Sequence, residues 1–302
     1  MMYDMIIIGG GPAGMSAALY AMRQNLKFIL LVQQLGGLAN FVPSLKAYLG
    51  YQYVTGFELV GKFKEHLSQY KVPLRNEFVV EIKRKGKLFS VITNKGEYRT
   101  KSIIAATGRR FKKLMIPGEE KFMHKGVSDC TMCDGPLFKG KRVAVIGGGR
   151  TGLFATLFLL KIAKKIYLVE KKHLKTEGGM RRIADIIKKH KNVTVLSETA
   201  PLEIKGDGFV RELILRSYGK KKVLPVEGVF VEIGYEPNTE FLKGLVHLNG
   251  RGEIIVDKEC RTNVPGLFAA GDVTDLKEKQ VVVSVGEGAK AALSAVLYLE
   301  KN

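Results

Sequence analysis

Cysteine is scarce in this chain: three in 302 residues, two of them, Cys130 and Cys133, in a single C-x-x-C. That scarcity excludes a disulfide-stapled extracellular scaffold and leaves one pair for catalysis or metal. A four-ligand zinc site lacks donors, because there is no second C-x-x-C, and His124 with distant Cys260 is a poor complement. The five histidines (His66, His124, His173, His190, His247) show no ligand or catalytic spacing, so no metal is expected. Long apolar runs are missing too. The longest, Leu153 to Leu160, is far below the roughly 20 residues that cross a bilayer, and no membrane association is expected. The N-terminus has no basic segment ahead of its apolar run, so a signal peptide is not expected and a cytoplasmic location is.

Acidic residues are outnumbered, 29 against 49 basic, for a net charge of +20. The basic runs, at 83–87, 109–113, 164–175, 181–191 and 220–222, are not interleaved with aromatics as a base-stacking surface would be, so nucleic acid is not an expected partner. The plain reading is a solvated surface. The alternative is an acidic protein partner, whose encounter such a field accelerates. With 46% hydrophobic residues, the length suits two modest domains.

What the chain does have is one unit written twice. Met5-Ile6-Ile7-Ile8 leads into Gly9-Gly10-Gly11-Pro12-Ala13-Gly14 and then a helical stretch. Arg142-Val143-Ala144-Val145-Ile146 leads into Gly147-Gly148-Gly149-Arg150-Thr151-Gly152 and another. Each reads as buried strand, G-x-G-x-x-G, helix. The first glycine makes the turn, the second lets backbone approach a pyrophosphate, and the third lets helix and strand pack closely. Backbone N–H groups and the helix dipole then face the anion. Two copies in the same context predict two Rossmann-like dinucleotide sites, at Gly9, Gly11, Pro12, Ala13 and Gly14, and at Gly147, Gly149 and Gly152.

The copies differ at the ribose position about 20 residues on. The strand Phe28–Val32 ends at Gln33, which can hydrogen-bond a ribose hydroxyl without charge. The strand Ile166–Val169 ends at Glu170, whose carboxylate accepts from a 2′-hydroxyl and repels a 2′-phosphate, favouring NADH over NADPH. Two further strand ends fit a flavoprotein. Ser102–Ala106 runs into Thr107-Gly108, and Leu267–Ala270 runs into Gly271-Asp272, with Asp272 suited to accept from a hydroxyl of a flavin side chain.

Cys130-Thr131-Met132-Cys133-Asp134-Gly135 lies just before the second glycine-rich turn. Thiols at this spacing close a small disulfide, and a redox role is the expectation. Asp134 is read either as the proton donor to a departing thiolate or as a plain helix or turn cap. Cys260 reads as an unpartnered strand residue.

Together, Gly9–Gly14, Ala106-Thr107-Gly108, Cys130–Gly135, Gly147–Gly152 and Ala269-Ala270-Gly271-Asp272 resemble the low-molecular-weight thioredoxin reductases. Within that group the chain is most similar to the flavoprotein subunit of alkyl hydroperoxide reductase without its N-terminal thioredoxin-like extension, over nearly the whole length. Lys139–Gly147, Val231–Thr239 and Gly286–Lys290 extend the likeness. The resemblance implies an α/β protein of two Rossmann-like, three-layer ββα domains of the class II pyridine nucleotide-disulfide type. FAD would bind residues 1–116 and 245–302. A nicotinamide domain with the dithiol would occupy 117–244, with hinges at Pro117-Gly118 and Lys243-Gly244 and with rotation between the domains. It also implies a homodimer and a hydride path from NAD(P)H through flavin into the disulfide. By position, Cys133 faces the flavin, Cys130 attacks the partner, Asp134 is the acid, and Gly37 and Gln280 lie at the flavin. The partner would be a thioredoxin- or glutaredoxin-like protein, in some cases of a peroxiredoxin system.

Some positions depart from the group. Glu170-Lys171-Lys172 stands where NADPH users carry His-Arg-Arg, Leu38 replaces the glutamine of Gly-Gly-Gln, and a Glu-Asn pair is missing near Lys46-Ala47. Arg150, with bulky Leu153 and Phe154 following, is expected to narrow the second nucleotide site. Some relatives take electrons from ferredoxin or a deazaflavin, and the positive surface suits acidic ferredoxin. A flavin redox sensor is the remaining alternative.

Overall fold

The computed structural model describes residues 2–174 and 180–302. Lys175, the last residue of one basic run, lies outside them. The chain forms two compact units, residues 1–110 with 236–302, and residues 111–235.

The first unit opens with β1 (Met2–Ile8), α1 (Pro12–Arg23), β2 (Phe28–Val32), α2 (Gly56–Gln69) and β3 (Leu74–Asn76). It continues with β4 (Val79–Lys85), β5 (Leu88–Thr93) and β6 (Glu97–Ala105), and β7 (Arg109–Phe111) runs across the boundary at residue 110. The second unit holds β8 (Val127–Ser128), α3 (Thr131–Asp134), β9 (Arg142–Ile146), α4 (Arg150–Leu159), β10 (Lys165–Val169), α5 (Arg181–Lys189) and β11 (Val193–Leu196). Then come β12 (Thr199–Gly206), β13 (Val210–Ser217), β14 (Lys220–Pro225) and β15 (Gly228–Val231). The chain returns through β16 (Tyr235–Pro237) to β17 (Leu267–Ala269) and α6 (Val281–Glu300).

In the first unit the strand order is β3-β2-β1-β6-β5-β4, parallel through β6 and antiparallel beyond it. β6 changes neighbour along its length: Glu97–Thr100 pair with β5, Ile103–Ala105 with β17. Met5 and Ile7 enter one core, Ile6 and Ile8 another, so β1 is buried on both faces. That burial explains an unbroken apolar run where alternation would mark a half-exposed strand. The second unit repeats the plan with an all-parallel sheet, order β11-β10-β9-β15-β8, and adds an antiparallel sheet β12-β13-β14. Val143 and Val145 face one core, Ala144 and Ile146 the other. The expected α/β class with two Rossmann-like units is what the chain adopts.

α6 is, among the described residues, the one helix long and apolar enough by length and composition to cross a bilayer. Its sequence is broken by Glu287, Lys290 and Ser294, and its Ala291–Leu299 stretch is one residue longer than Leu153–Leu160. Ala291, Ala292 and Ala295 pack in the same core as Ala17, Ala18 and Ala21 of α1. A Cβ on Gly288 would stand 2.0 Å from the Ala13 carbonyl oxygen, so the two helices touch backbone to backbone. Pro117-Gly118 belongs to a turn inside the second unit, where Gly118 (φ +88°) lies against Ile204.

Candidate functional site

In the first glycine-rich turn the three glycines do three different jobs. Gly9 has φ +114°, and a Cβ there would stand 2.2 Å from the Ala106 carbonyl oxygen. A Cβ on Gly14 would stand 1.8 Å from the Gly9 carbonyl oxygen, so helix and turn are in backbone contact. Gly11, the N-cap of α1, has nothing within 4 Å of its Cβ position, and Pro12 occupies the first helical turn. Only the middle glycine looks onto open space, and that space lies before the unpaired N–H groups of a 12-residue helix.

A Cβ on Gly37 (φ +50°) would stand 3.6 Å from the Gly11 Cα, across from the turn. Gly271 (φ +78°) packs on Ala13, and Asp272 follows it, its Oδ1 accepting from Ser284 Oγ at 3.3 Å. Thr107 and Gly108 are tied to the returning chain: Thr107 Oγ1 donates to the Asn238 carbonyl at 2.7 Å, and Asn238 Nδ2 donates back to the Thr107 carbonyl at 2.9 Å. Gln33 is exposed just beyond β2, and Gln280 is the N-cap of α6. The fold therefore gathers Gly9–Gly14, Gly37 and Gly271-Asp272 around one cradle, with a hydroxyl acceptor beside an anion-binding turn. These residues fit FAD.

The sequence reading missed the group beneath Asp272. Glu253, 1% exposed, accepts from Arg109 Nη2 at 2.5 Å, Lys279 Nζ at 3.3 Å, Arg251 Nε at 3.2 Å and Asn249 Nδ2 at 2.8 Å. Arg109 Nε and Lys279 Nζ in turn donate to the Asp272 carbonyl, at 3.1 and 3.3 Å. Burial alone would raise the Glu253 pKa. The Asn249 hydrogen bond and the Lys279 and Arg109 charges outweigh it and hold the carboxyl below its ordinary value.

The second turn repeats the division of labour. Gly147 (φ +113°) would put a Cβ 2.4 Å from the Glu232 carbonyl oxygen, Gly152 one 1.7 Å from the Gly147 carbonyl oxygen, while Gly149, the N-cap of α4, faces open space. The Glu170 carboxylate lies against this turn, accepting from the Gly148 N–H and, at 2.9 Å, from the Lys172 N–H. Arg150 lies over the Phe154 ring at the start of α4.

In the same unit Cys130 and Cys133 form a disulfide, 5.3 Å between Cα atoms. Cys130 caps α3, and its Sγ accepts from the Cys133 N–H at 3.2 Å. Cys133 is exposed and Cys130 half-buried. Gly135 lets α3 sit against Phe158 and Leu159, and Ser128 Oγ accepts from the Cys130 N–H at 3.0 Å. Asp134 occupies the N-cap position of the following 3-10 turn, with no side-chain cap hydrogen bond there. Two dinucleotide turns and a disulfide beside the second are the parts of a flavin-linked disulfide enzyme.

The pattern of the pyridine nucleotide-disulphide oxidoreductases matches residues 3–288. The chain belongs to this family. It is 40% identical over 306 residues to the F subunit of alkyl hydroperoxide reductase in Pseudomonas aeruginosa, covering 98% of this chain and 58% of that protein. It thus spans about three fifths of the length of the curated relatives it matches. Among solved structures it is similar to Lactococcus lactis thioredoxin reductase, with TM-score 0.86 and 34% identity, covering 99% of this chain and 100% of that one. It is also similar to a ferredoxin-flavin thioredoxin reductase from Clostridium acetobutylicum, with TM-score 0.57 and 33% identity, covering 100% and 99%. As a member of the family the chain is an oxidoreductase, a flavoprotein with a disulfide redox centre.

Cys260 is not a strand residue. It sits in a turn with φ +62°, and its thiol donates to Glu287 Oε2 at 3.0 Å. Burial first, then the Glu287 carboxylate, pushes its pKa far up, which leaves it inert. Alkylation of the reduced native protein is expected to label two thiols and, after denaturation, three. Three labelled in the native state would contradict this burial.

Proposed function

We propose that the chain is a thioredoxin-reductase-like disulfide reductase. It carries electrons from NAD(P)H, with NADH favoured, through FAD and the Cys130–Cys133 pair to a thioredoxin- or glutaredoxin-like partner, in some settings a peroxiredoxin system. The observation that carries this is the disulfide sharing one compact unit with an intact second dinucleotide turn. A flavin held by Gly9–Gly14, Gly37 and Gly271-Asp272 would supply the two-electron chemistry that links a nicotinamide hydride to a disulfide. Reduction of Cys130–Cys133 takes those two electrons and two protons. The Cys130 thiolate then attacks a sulfur of the partner disulfide and forms a mixed disulfide. Cys133 attacks Cys130, closes the pair again and releases the partner as a dithiol, with Asp134 supplying the proton to the departing thiolate.

Glu170 supports NADH. Its carboxylate occupies the edge of the turn where a 2′-phosphate would bring further negative charge. Glu170→Ala is expected to narrow the kcat/KM preference for NADH over NADPH on the order of tenfold, the scale of one close charge pair. An unchanged ratio would remove Glu170 from donor choice. A second reading, reduction by ferredoxin, is favoured by the likeness to the Clostridium protein and by the net charge of +20. Anaerobic titration with NADH, NADPH and reduced ferredoxin separates them: rapid flavin bleaching by NADH supports the proposal, and bleaching by ferredoxin alone supports the second reading. The resemblance extends the proposal to a cytoplasmic homodimer, which sedimentation of the holoprotein tests for assembly.

A further inference from the structure

One buried carboxyl in the second unit has no part in the chemistry above. Glu232 follows β15 directly and is 9% exposed. Its Oε1 accepts from Thr131 Oγ1 at 2.6 Å, and Thr131, itself 3% exposed, lies between the two cysteines as the first residue of α3. Its backbone is held equally firmly. The Glu232 N–H donates to the Ile146 carbonyl at 2.8 Å, at the end of the strand that feeds the second glycine-rich turn. Its carbonyl accepts from Thr151 Oγ1 at 3.0 Å, in the first turn of α4, and is the atom that Gly147 must clear. A single residue thus touches the dithiol helix with its side chain and the nucleotide turn with its main chain.

A buried carboxyl is an expensive way to fill space, and an aliphatic side chain would pack there without a desolvation cost. Burial, opposed by the Thr131 hydrogen bonds and reinforced by the Asp129 charge, raises its pKa, consistent with a group kept as a hydrogen-bonding anchor. α3 has only four residues, too few to hold its own shape.

We infer that Glu232 is a positioning residue: through Thr131 it fixes the dithiol helix to the strand end that also shapes the nucleotide turn. This rests on the proposed function only for its catalytic consequence, since the anchor itself is a contact of the oxidised protein. Without the anchor the Cys133 and Asp134 amides, which donate to the Cys130 carbonyl at 3.2 and 3.1 Å, open more often.

The test is hydrogen exchange on the full FAD-loaded oxidised chain, read on peptides covering 127–136. Glu232→Ala is expected to speed exchange of those amides about tenfold, the change that loss of one buried hydrogen bond brings. Glu232→Gln keeps an acceptor for Thr131 and is expected to restore protection. Thr131→Val removes the bond from the other side and provides the same reading should Glu232→Ala fold poorly. In turnover, Glu232→Ala should lower kcat for a thioredoxin disulfide relative to flavin-only reduction of ferricyanide, and Glu232→Gln should recover it. Unchanged protection in both disrupting variants, or a glutamine variant as open as the alanine one, overturns the inference. If exchange behaves as expected but the wild type reduces no disulfide with any donor, the anchor stands and the proposed function falls.

Discussion

Cys133→Ser is expected to leave the protein yellow and to end disulfide turnover. The cradle that fits FAD is built from Gly9–Gly14, Gly37 and Gly271-Asp272, all in the unit formed by residues 1–110 and 236–302, and Cys133 belongs to the other unit. Flavin retention therefore does not depend on its sulfur. Turnover does, because closing the Cys130–Cys133 bond is the step that frees the partner. Without the resolving thiol, catalysis is expected to fall below about one thousandth of wild type, the scale seen when an essential nucleophile is removed. The structure adds a sharper expectation. The hydrogen bond to Cys130 Sγ comes from the Cys133 backbone N–H and survives the substitution. Cys130 keeps its sulfur and is expected to trap the partner as a stable mixed disulfide, visible on a non-reducing gel, whereas Cys130→Ser traps none. Visible absorption checks the flavin, and thioredoxin reduction checks the rate. Retained turnover in Cys133→Ser would overturn the dithiol route.

The parts of the site that depend on local backbone were legible from sequence. A turn requiring positive φ at Gly9 and Gly147 and close approach at Gly14 and Gly152 is written in six consecutive letters, and both copies fold as their spacing demands. The buried strands β1, β2, β9 and β10 were equally plain, because burial on both faces leaves an unbroken apolar run. What the letters hid is pairing at a distance. Arg109 and Lys279 both donate to the Asp272 carbonyl and both pair with the Glu253 carboxylate, and Thr131 meets Glu232 a hundred residues away. One sequence contains no signal for such meetings. Cys260 was misread for a related reason. Val256 to Arg261 looks strand-like, yet the Asp257 side chain accepts from the Glu259 and Arg261 N–H groups and curls the segment into a turn.

Glu253→Ala is expected to destabilise the first unit by about 3–5 kcal/mol, as removal of one partner from a buried ion pair does. The reason is local charge. Arg109 and Lys279 have side chains only 20% and 17% exposed, and Glu253 lies between them. Burial already pulls the Lys279 pKa down, with the Arg109 charge adding to it, so losing the carboxylate leaves two partly desolvated cations facing each other. Both also hold the Asp272 carbonyl, and the cradle should loosen with them. The expected signs are a lower urea midpoint for flavin release and weaker FAD rebinding. Acid reports on the same group. The folded pKa of Glu253 is lowered, so its contribution is complete above the ordinary carboxylate value and is lost as pH falls through the lowered one. Flavin retention in the wild type should therefore weaken towards low pH. In Glu253→Gln, which keeps the shape and removes the charge, that part of the acid dependence should vanish while retention at neutral pH falls. A glutamine variant that follows the wild-type acid profile throughout would show that Glu253 does not hold the Asp272 turn by charge.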